Sequence, residues 1–496
     1  MKSFATQFEP YMQQFLEETK APGMAVAVVS RNEVVYARGF GVRDRDTGAA
    51  VTPETIFGVA SVSKSFTCLA IMQLALAGKL SPDDPVQKYL PAFDLPGGGG
   101  GRVTIHHLMT HAAGMPPLPA LNYSIRGNTP KDPEESVEAQ RPGLDASPET
   151  HGEKQSEQPG EAHESKVSGK GEPREKSFPR IDDFDQLIGY IRTGDYKVLG
   201  EPGQYVSYSN DCYGLLGAII EKVSGRRFED YMEENVLAPL EMGRSMYDLS
   251  DLQGFDNVTS LYIKDGEEVK HKRHWQVAPP FTACGWLKST VLDLANYLRM
   301  YLGKGSWNGK QILSPDGIER MIHPHAPYSR DRKYCYGFTR LDDYHGVTLI
   351  EHSGSLRGVA SNIGFIPEKG LGVAVLSNLT GTPSSRAWLA AVNLLLGLPV
   401  ETPRSVYKKE AWPPEDVAEY AGTFKSGEGV TLKLSVKDGS LVATVDKKEY
   451  EVKRDSEDLG TLHLNGQDSE VRFLRDGDGR IWAVGWGGRI IRKTSG

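Results

Sequence analysis

The hydrophobic pattern changes its period once along the chain, at a proline-rich boundary. Before that boundary, short β-branched runs alternate with longer apolar stretches of helical spacing. Beyond Pro399, Pro403, Pro413 and Pro414 the apolar residues recur at every second position, over residues 431–436 and 441–445 with Lys437-Asp438-Gly439 between them. Asp-Gly between two alternating runs is a hairpin signal. Asp476-Gly477-Asp478-Gly479 repeats it ahead of residues 481–486. The spacing separates a first unit of helical and strand-like runs over residues 1–400 from a linker over 401–415 and a small antiparallel β domain, a barrel, over 416–496.

Within the first unit, Phe4, Phe8, Tyr11 and Phe15 mark a helix over residues 4–20 that stops at Pro22-Gly23. Residues 24–30 and 33–39, joined by Arg31-Asn32, predict a hairpin. From Ser61 to Ala77 apolar residues occupy nearly every face of a helical pattern, so this helix belongs inside the protein. Residues 127–180 are dominated by Glu, Lys, Pro, Ser, Gly and Gln. Such a segment buries too little apolar area to offset its ordering entropy and reads as a disordered insertion. The five glycines at 97–101 read as a flexible loop, since no Gly-Lys-Ser/Thr follows to make a phosphate cradle.

Charge narrows the function classes. The net charge is −8, which disfavours general nucleic-acid binding, because phosphate attraction needs a basic surface. No apolar run reaches the roughly 20 residues of a spanning helix. The first residues, MKSFATQFEPYMQQFLEETK, lack the apolar core of a secretory signal. Four scattered cysteines form neither a disulfide framework nor a CxxC site. These features together lead to an expected cytoplasmic, reduced setting. His107 and His111 have the spacing of a zinc-binding pair, but Leu108 stands where the general-base glutamate of such a site belongs, so no metal is expected.

Three short segments carry chemistry. In Ser61-Val62-Ser63-Lys64, residues i and i+3 of a helix share a face, so the hydroxyl and the amine can meet. A serine hydroxyl is a weak nucleophile until a neighbouring base takes its proton. The pattern alone is weak, since Ser405-Val406-Tyr407-Lys408 matches it inside the linker. Tyr208-Ser209-Asn210 follows a Pro-Gly turn and precedes an apolar helix, and a loop tyrosine facing a lysine can share its proton. His352-Ser353-Gly354 ends a strand-like run, where a glycine lets a substrate backbone approach.

In this order and context the three segments resemble the serine β-lactamase and penicillin-binding-protein superfamily, and within it the class C-like branch of carboxypeptidases, D-aminopeptidases, esterases and acyltransferases. Residues 103–114, VTIHHLMTHAAG, resemble a further stretch of that branch, and Tyr420-Ala421-Gly422-Thr423-Phe424 resembles the start of its appended lipocalin-like barrel. The resemblance implies an α+β, β-lactamase/transpeptidase-like fold: an antiparallel sheet flanked by helices, with a mostly helical region carrying Tyr208. It implies Ser61 as the acylated nucleophile, Lys64 and Tyr208 as the proton-handling pair, and Asn210, His352, Ser353 and Gly354 as substrate-binding residues. The backbone N–H groups of Ser61 and Ser355 would form the oxyanion hole. Many relatives carry a lysine where His352 stands, and a largely neutral imidazole gives a weaker field for a substrate carboxylate. The implied reaction is hydrolysis of an ester or amide, including a D-amino-acid peptide, through an acyl-enzyme. Acyl transfer by the same groups is the alternative, and a catalytically silent scaffold the third reading. No cofactor is implied, and the partner is a small-molecule or short-peptide acyl substrate. Trp286, Tyr123 and Phe281 are candidates to line the acyl pocket, or are ordinary core or rim aromatics.

Overall fold

A computed structural model describes residues 2–126, 180–272, 274–445, 447–464 and 466–494. Apart from Arg180, the insertion expected over 127–180 lies outside the described residues.

The N-terminal helix α1 (Lys2–Thr19) buries Phe4, Phe8, Met12 and Phe15, one residue per turn, as their spacing requires. The chain then enters the eight-stranded sheet through β1 (Gly23–Ser30) and β2 (Val34–Gly41). Its other strands are β3 (Ala326–Pro327), β4 (Arg332–Tyr334), β5 (Thr339–Tyr344), β6 (Val347–Leu356), β7 (Val359–Ile366) and β8 (Leu371–Ser377). The strand order is β2-β1-β8-β7-β6-β5-β4-β3, with every pair antiparallel. Both ends of the α+β unit therefore meet in one sheet.

Strand β1 explains why the sheet sits centrally. Ala25, Ala27 and Val29 join one hydrophobic core, while Met24, Val26 and Val28 join the other, so the period-two alternation sends every side chain into an apolar layer. The first layer contains α2 (Ser63–Leu76), α3 (Asn210–Ser224) and α4 (Val291–Leu302); the second contains α1 and α5 (Ser384–Leu395). Helix α2 is buried along nearly its whole length, as its all-round apolar pattern requires. The five-glycine stretch wraps around Asp94, whose carboxylate accepts from the N–H groups of Leu95 and Gly100, both at 2.8 Å.

The C-terminal part is a nine-stranded, nearly closed antiparallel barrel. Its strands are β9 (Gly422–Lys425), β10 (Thr431–Lys437), β11 (Ser440–Val445), β12 (Lys448–Glu451), β13 (Lys453–Ser456), β14 (Leu459–Leu464), β15 (Gln467–Arg475), β16 (Ile481–Trp486) and β17 (Arg489–Lys493). Both Asp-Gly segments turn hairpins, β10–β11 and β15–β16. The interior is filled: Trp412, Tyr420 and Phe473 pack with rings 4.3–5.8 Å apart, and the Trp412 indole N–H donates to the Val452 carbonyl. The residues between α5 and the barrel are pinned at both ends. Arg404 pairs with the buried Glu351 on β6, and Glu410 exchanges backbone hydrogen bonds with Arg454.

Candidate active site

Ser61 lies in a short 3₁₀ turn (Ala60–Val62) that leads into α2. The preceding Ala60 has φ +48°, a left-handed conformation that is uncommon for a residue with a side chain. The turn is held from outside. Ser63 Oγ donates to the Ala60 carbonyl at 2.7 Å, and Ser361 Oγ on β7 donates to the Val59 carbonyl at 2.6 Å. Strand β6 presses against the same turn at Gly354. A Cβ built there would stand 2.9 Å from Ser61 N and 2.5 Å from Ser361 Oγ, so only glycine lets the two backbones approach this closely. That contact brings the 353–355 segment alongside Ser61.

Lys64 is fully buried. Its Nζ donates to Ser61 Oγ at 3.2 Å, Asn210 Oδ1 at 2.9 Å and the Cys284 carbonyl at 2.8 Å, which uses three ammonium donors. It also lies 4.8 Å from the ring centre of Tyr208 and 5.3 Å from that of Tyr213. Helix α3 begins at Asn210, capped by Ser209, whose hydroxyl accepts from the Cys212 N–H. Tyr208 thus sits one residue outside a helix start, its ring against Lys64. Among the described residues its hydroxyl makes no hydrogen bond, and its edge faces the cavity that also exposes Ser61. Behind it, Asp211 is buried with one carboxylate oxygen unpartnered, and burial, followed by the charge of Glu428, pushes its pKa up to about 7.

The third segment is ordered differently from the first two. His352 is buried; its Nδ1 is 2.6 Å from the Ser353 carbonyl and its Nε2 is 3.0 Å from the Tyr334 hydroxyl. Burial and then the charge of Lys64 lower its pKa to about 3, so the imidazole is neutral near pH 7. His111 lies on the other side of Tyr334, Nε2 to Oη 3.0 Å, and its ring covers Tyr208 with centroids 4.3 Å apart. Burial also drives its pKa well down.

The site is completed by the barrel. The Tyr208 N–H donates to the Gly488 carbonyl at 2.8 Å, and the Ile490 N–H donates to Ser207 Oγ at 3.1 Å. The Arg489 guanidinium lies 5.1 Å from the Tyr208 ring centre and is paired with Glu428. Sequence reading does not find these residues, which stand some 280 positions beyond Tyr208; the Gly487-Gly488 pair at the β16–β17 turn is the only local sign. Tyr334 escapes sequence reading for a similar reason, as a tyrosine in a three-residue strand carries no pattern. The His111 segment was recognised, but not its contact with Tyr208.

These residues border a cavity of about 1340 Å³ between the eight-stranded sheet, the 401–409 segment and the barrel. Ser61, Tyr208, Asn210 and the 352–355 segment line one part, with Leu118, Leu121, Val206, Trp286 and Leu356 supplying apolar wall. Of the three aromatic candidates only Trp286 lines it. Phe281 is core, and Tyr123 packs edge-on against Tyr190. His107 Nδ1 faces the Thr104 backbone while His111 faces Tyr334, so the pair does not converge. Among the described residues no group of His, Cys, Asp or Glu is arranged to hold a metal ion, and no helix is long and apolar enough to cross a membrane.

A family profile described as Beta-lactamase matches residues 8–397, and the chain belongs to the beta-lactamase family. Penicillin-binding protein 4 of Amycolatopsis lactamdurans is 25% identical over 431 residues, covering 83% of this chain and 95% of its own. Protein flp of Staphylococcus aureus (strain MW2) is 23% identical over 381 residues, 75% of this chain; the match spans 63% of the flp length. Among solved structures, the octameric penicillin-binding protein homologue from Pyrococcus abyssi has a TM-score of 0.65 at 29% identity, covering 98% of this chain and 100% of its own. The crystal structure of SurE gives 0.68 at 21%, covering 99% of both chains. The β-lactamase-like fold and its C-terminal barrel are thus shared with solved structures, and the family supports serine-hydrolase or acyl-transfer chemistry in general.

Proposed function

We propose that this chain is a serine hydrolase of the class C-like branch that cleaves an ester or amide, with D-amino-acid peptides among the candidate substrates. In this reading residues 1–400 are the catalytic domain, 401–415 the linker and 416–496 a lipocalin-like domain. The observation that carries it is the buried Lys64 amine 3.2 Å from Ser61 Oγ, with Tyr208 against that amine. In the Lys64–Tyr208 proton-handling pair, the Ser61 proton passes to the Tyr208 oxygen as Oγ attacks the acyl carbon, with the Lys64 ammonium holding Ser61 Oγ from the other side. The backbone N–H groups of Ser61 and Ser355 stabilise the oxyanion. The proton returns through Tyr208 to the leaving oxygen or nitrogen, leaving Ser61 acylated. Water, deprotonated by Tyr208, then releases the acid. Asn210, Ser353 and Gly354 bind the substrate backbone, and His352 walls that subsite as a neutral ring.

The test is a panel of p-nitrophenyl esters, D- and L-amino-acid anilides and a chromogenic cephalosporin, run on wild type and Ser61→Ala. Turnover of at least one class by wild type and none by the variant is expected. Equal turnover by both would leave a silent scaffold as the better reading. The alternative is acyl transfer from the same acyl-enzyme to an alcohol or amine in place of water. Product analysis with competing alcohols decides between free acid and transferred ester.

A further inference from the structure

The bonds around Tyr334 can be assigned proton by proton. The Ser209 N–H can only donate, and it donates to His111 Nδ1 at 3.1 Å. A neutral His111 then carries its proton on Nε2 and donates it to the Tyr334 oxygen, 3.0 Å away. With that oxygen accepting, the Tyr334 O–H is free to donate to His352 Nε2, also at 3.0 Å. His352 must then hold its proton on Nδ1, where the Ser353 carbonyl, which can only accept, stands at 2.6 Å. The two backbone ends force the same direction on the whole chain of bonds. A fourth proton would break one of these bonds: on His111 Nδ1 it would confront the Ser209 N–H, and on His352 Nε2 it would deprive the Tyr334 O–H of its acceptor.

We propose that Tyr334 is a positioning residue of the active site, whose hydroxyl accepts from His111 and donates to His352, joining the two rings in the tautomers their backbone partners fix, and so aligns Tyr208 and the 353–355 segment on Ser61. The proposal rests on the serine-hydrolase reading. Its geometric basis is that Tyr334 hydrogen-bonds to both rings, across two walls that otherwise meet through the tilted contact of Tyr208 with His352, centroids 6.2 Å apart. His111 stacks on Tyr208 and holds the next residue's N–H, while His352 fixes the carbonyl of the residue before Gly354. The surroundings reinforce neutrality. The groups facing the trio are Lys64 and Cys68 from α2, Tyr208 and Tyr213 from the start of α3, Tyr328 ahead of β4, and Arg489 with Glu428 from the barrel. Two of these are cations, and the one carboxylate is already paired with Arg489.

The experiment uses the full chain and an activated ester, measuring the rate of Ser61 acylation against pH for wild type, Tyr334→Phe and Ser61→Ala. Phenylalanine keeps the ring and removes only the bridging hydroxyl. The expected result is acylation slowed about 10- to 100-fold, the cost of slight misalignment. It should come with a loss of rate on the acid side that begins at a higher pH than in wild type, as His352 loses the donor that favours its unprotonated Nε2. A Tyr334→Phe variant with the wild-type rate and pH profile would overturn the proposal. Should that variant fail to fold, ¹⁵N spectra of the wild-type histidines decide. Nδ1–H on His352 and Nε2–H on His111, unchanged from roughly pH 5 to 8, are expected; titration of either ring in that range overturns the proposal. Absence of acylation in wild type would overturn the hydrolase reading and the alignment claim resting on it, whereas the spectra test the tautomers independently.

Discussion

A single methyl group at position 354 would reach the nucleophile turn. Gly354→Ala brings a carbon to 2.9 Å from Ser61 N, so strand β6 must retreat and carry Ser355 with it. Displacing one oxyanion donor costs about 10²–10³ in rate, and that loss in kcat/KM is expected with an unchanged circular dichroism spectrum; wild-type kcat/KM would contradict it. Tyr208 isolates a different contribution. Its hydroxyl makes no hydrogen bond among the described residues, so Tyr208→Phe removes a proton carrier without removing a structural bond. Acylation should slow by about 10²–10⁴ while the melting temperature stays close to wild type. A large drop in melting temperature would instead make the hydroxyl structural.

At the scale of elements, buried ionisable groups set how the fold responds to acid. His352 has a folded pKa of about 3 against an ordinary 6.5, so between these values only the unfolded chain binds the proton. Stability is therefore fully present above about pH 6.5 and falls as pH drops, by about 1.4 kcal/mol per pH unit for each such histidine. His111 acts in the same direction. Asp211 opposes them: with a folded value of about 7, it holds a proton that the unfolded carboxylate has lost, so its contribution is present below the ordinary value of 3.8 and declines as pH rises towards 7. Two histidines outweigh one aspartate, and the urea midpoint should fall between pH 7 and pH 5, more steeply in Asp211→Asn. Equal midpoints in wild type and a shallower slope in the variant would contradict this balance. The Arg404–Glu351 pair makes a second claim. Removing one partner of a buried pair costs about 3–5 kcal/mol, so Arg404→Ala should lower the first unfolding transition by about that much.

The elements also show what the sequence could and could not reveal. Period-four phenylalanines gave α1, β-branched runs gave β1 and β2, and Asp-Gly turns gave two barrel hairpins, because hydrophobic spacing reports which face is buried. The Ser61–Lys64 contact was legible because it is local, one helical turn. Tyr334, Arg489 and Gly488 were not, because spacing does not say which distant element supplies the neighbour. His352 was expected as a weak positive pole, but both of its nitrogens are taken up within the protein, a consequence of a hydroxyl 18 residues away.

On the scale of the whole molecule, the barrel walls the cavity that Ser61 and Tyr208 line. The β16–β17 turn meets Tyr208 through Gly488, whose φ is +77°, and a Cβ there would strike the Tyr328 ring. Gly488→Ala should therefore push the turn off the Tyr208 loop and slow turnover about 100-fold with the barrel still folded; unchanged kinetics would separate the barrel from catalysis. The central claim is that Ser61 Oγ becomes covalently acylated with Lys64 at its side. Intact-mass spectrometry after incubation with a fluorophosphonate, an activated ester or a penicillin tests it most directly. One adduct per chain on wild type, mapped to the Ser61 peptide and absent from Ser61→Ala, is the result this account requires. No adduct with any of the three reagents, or an adduct that persists in Ser61→Ala, would contradict it.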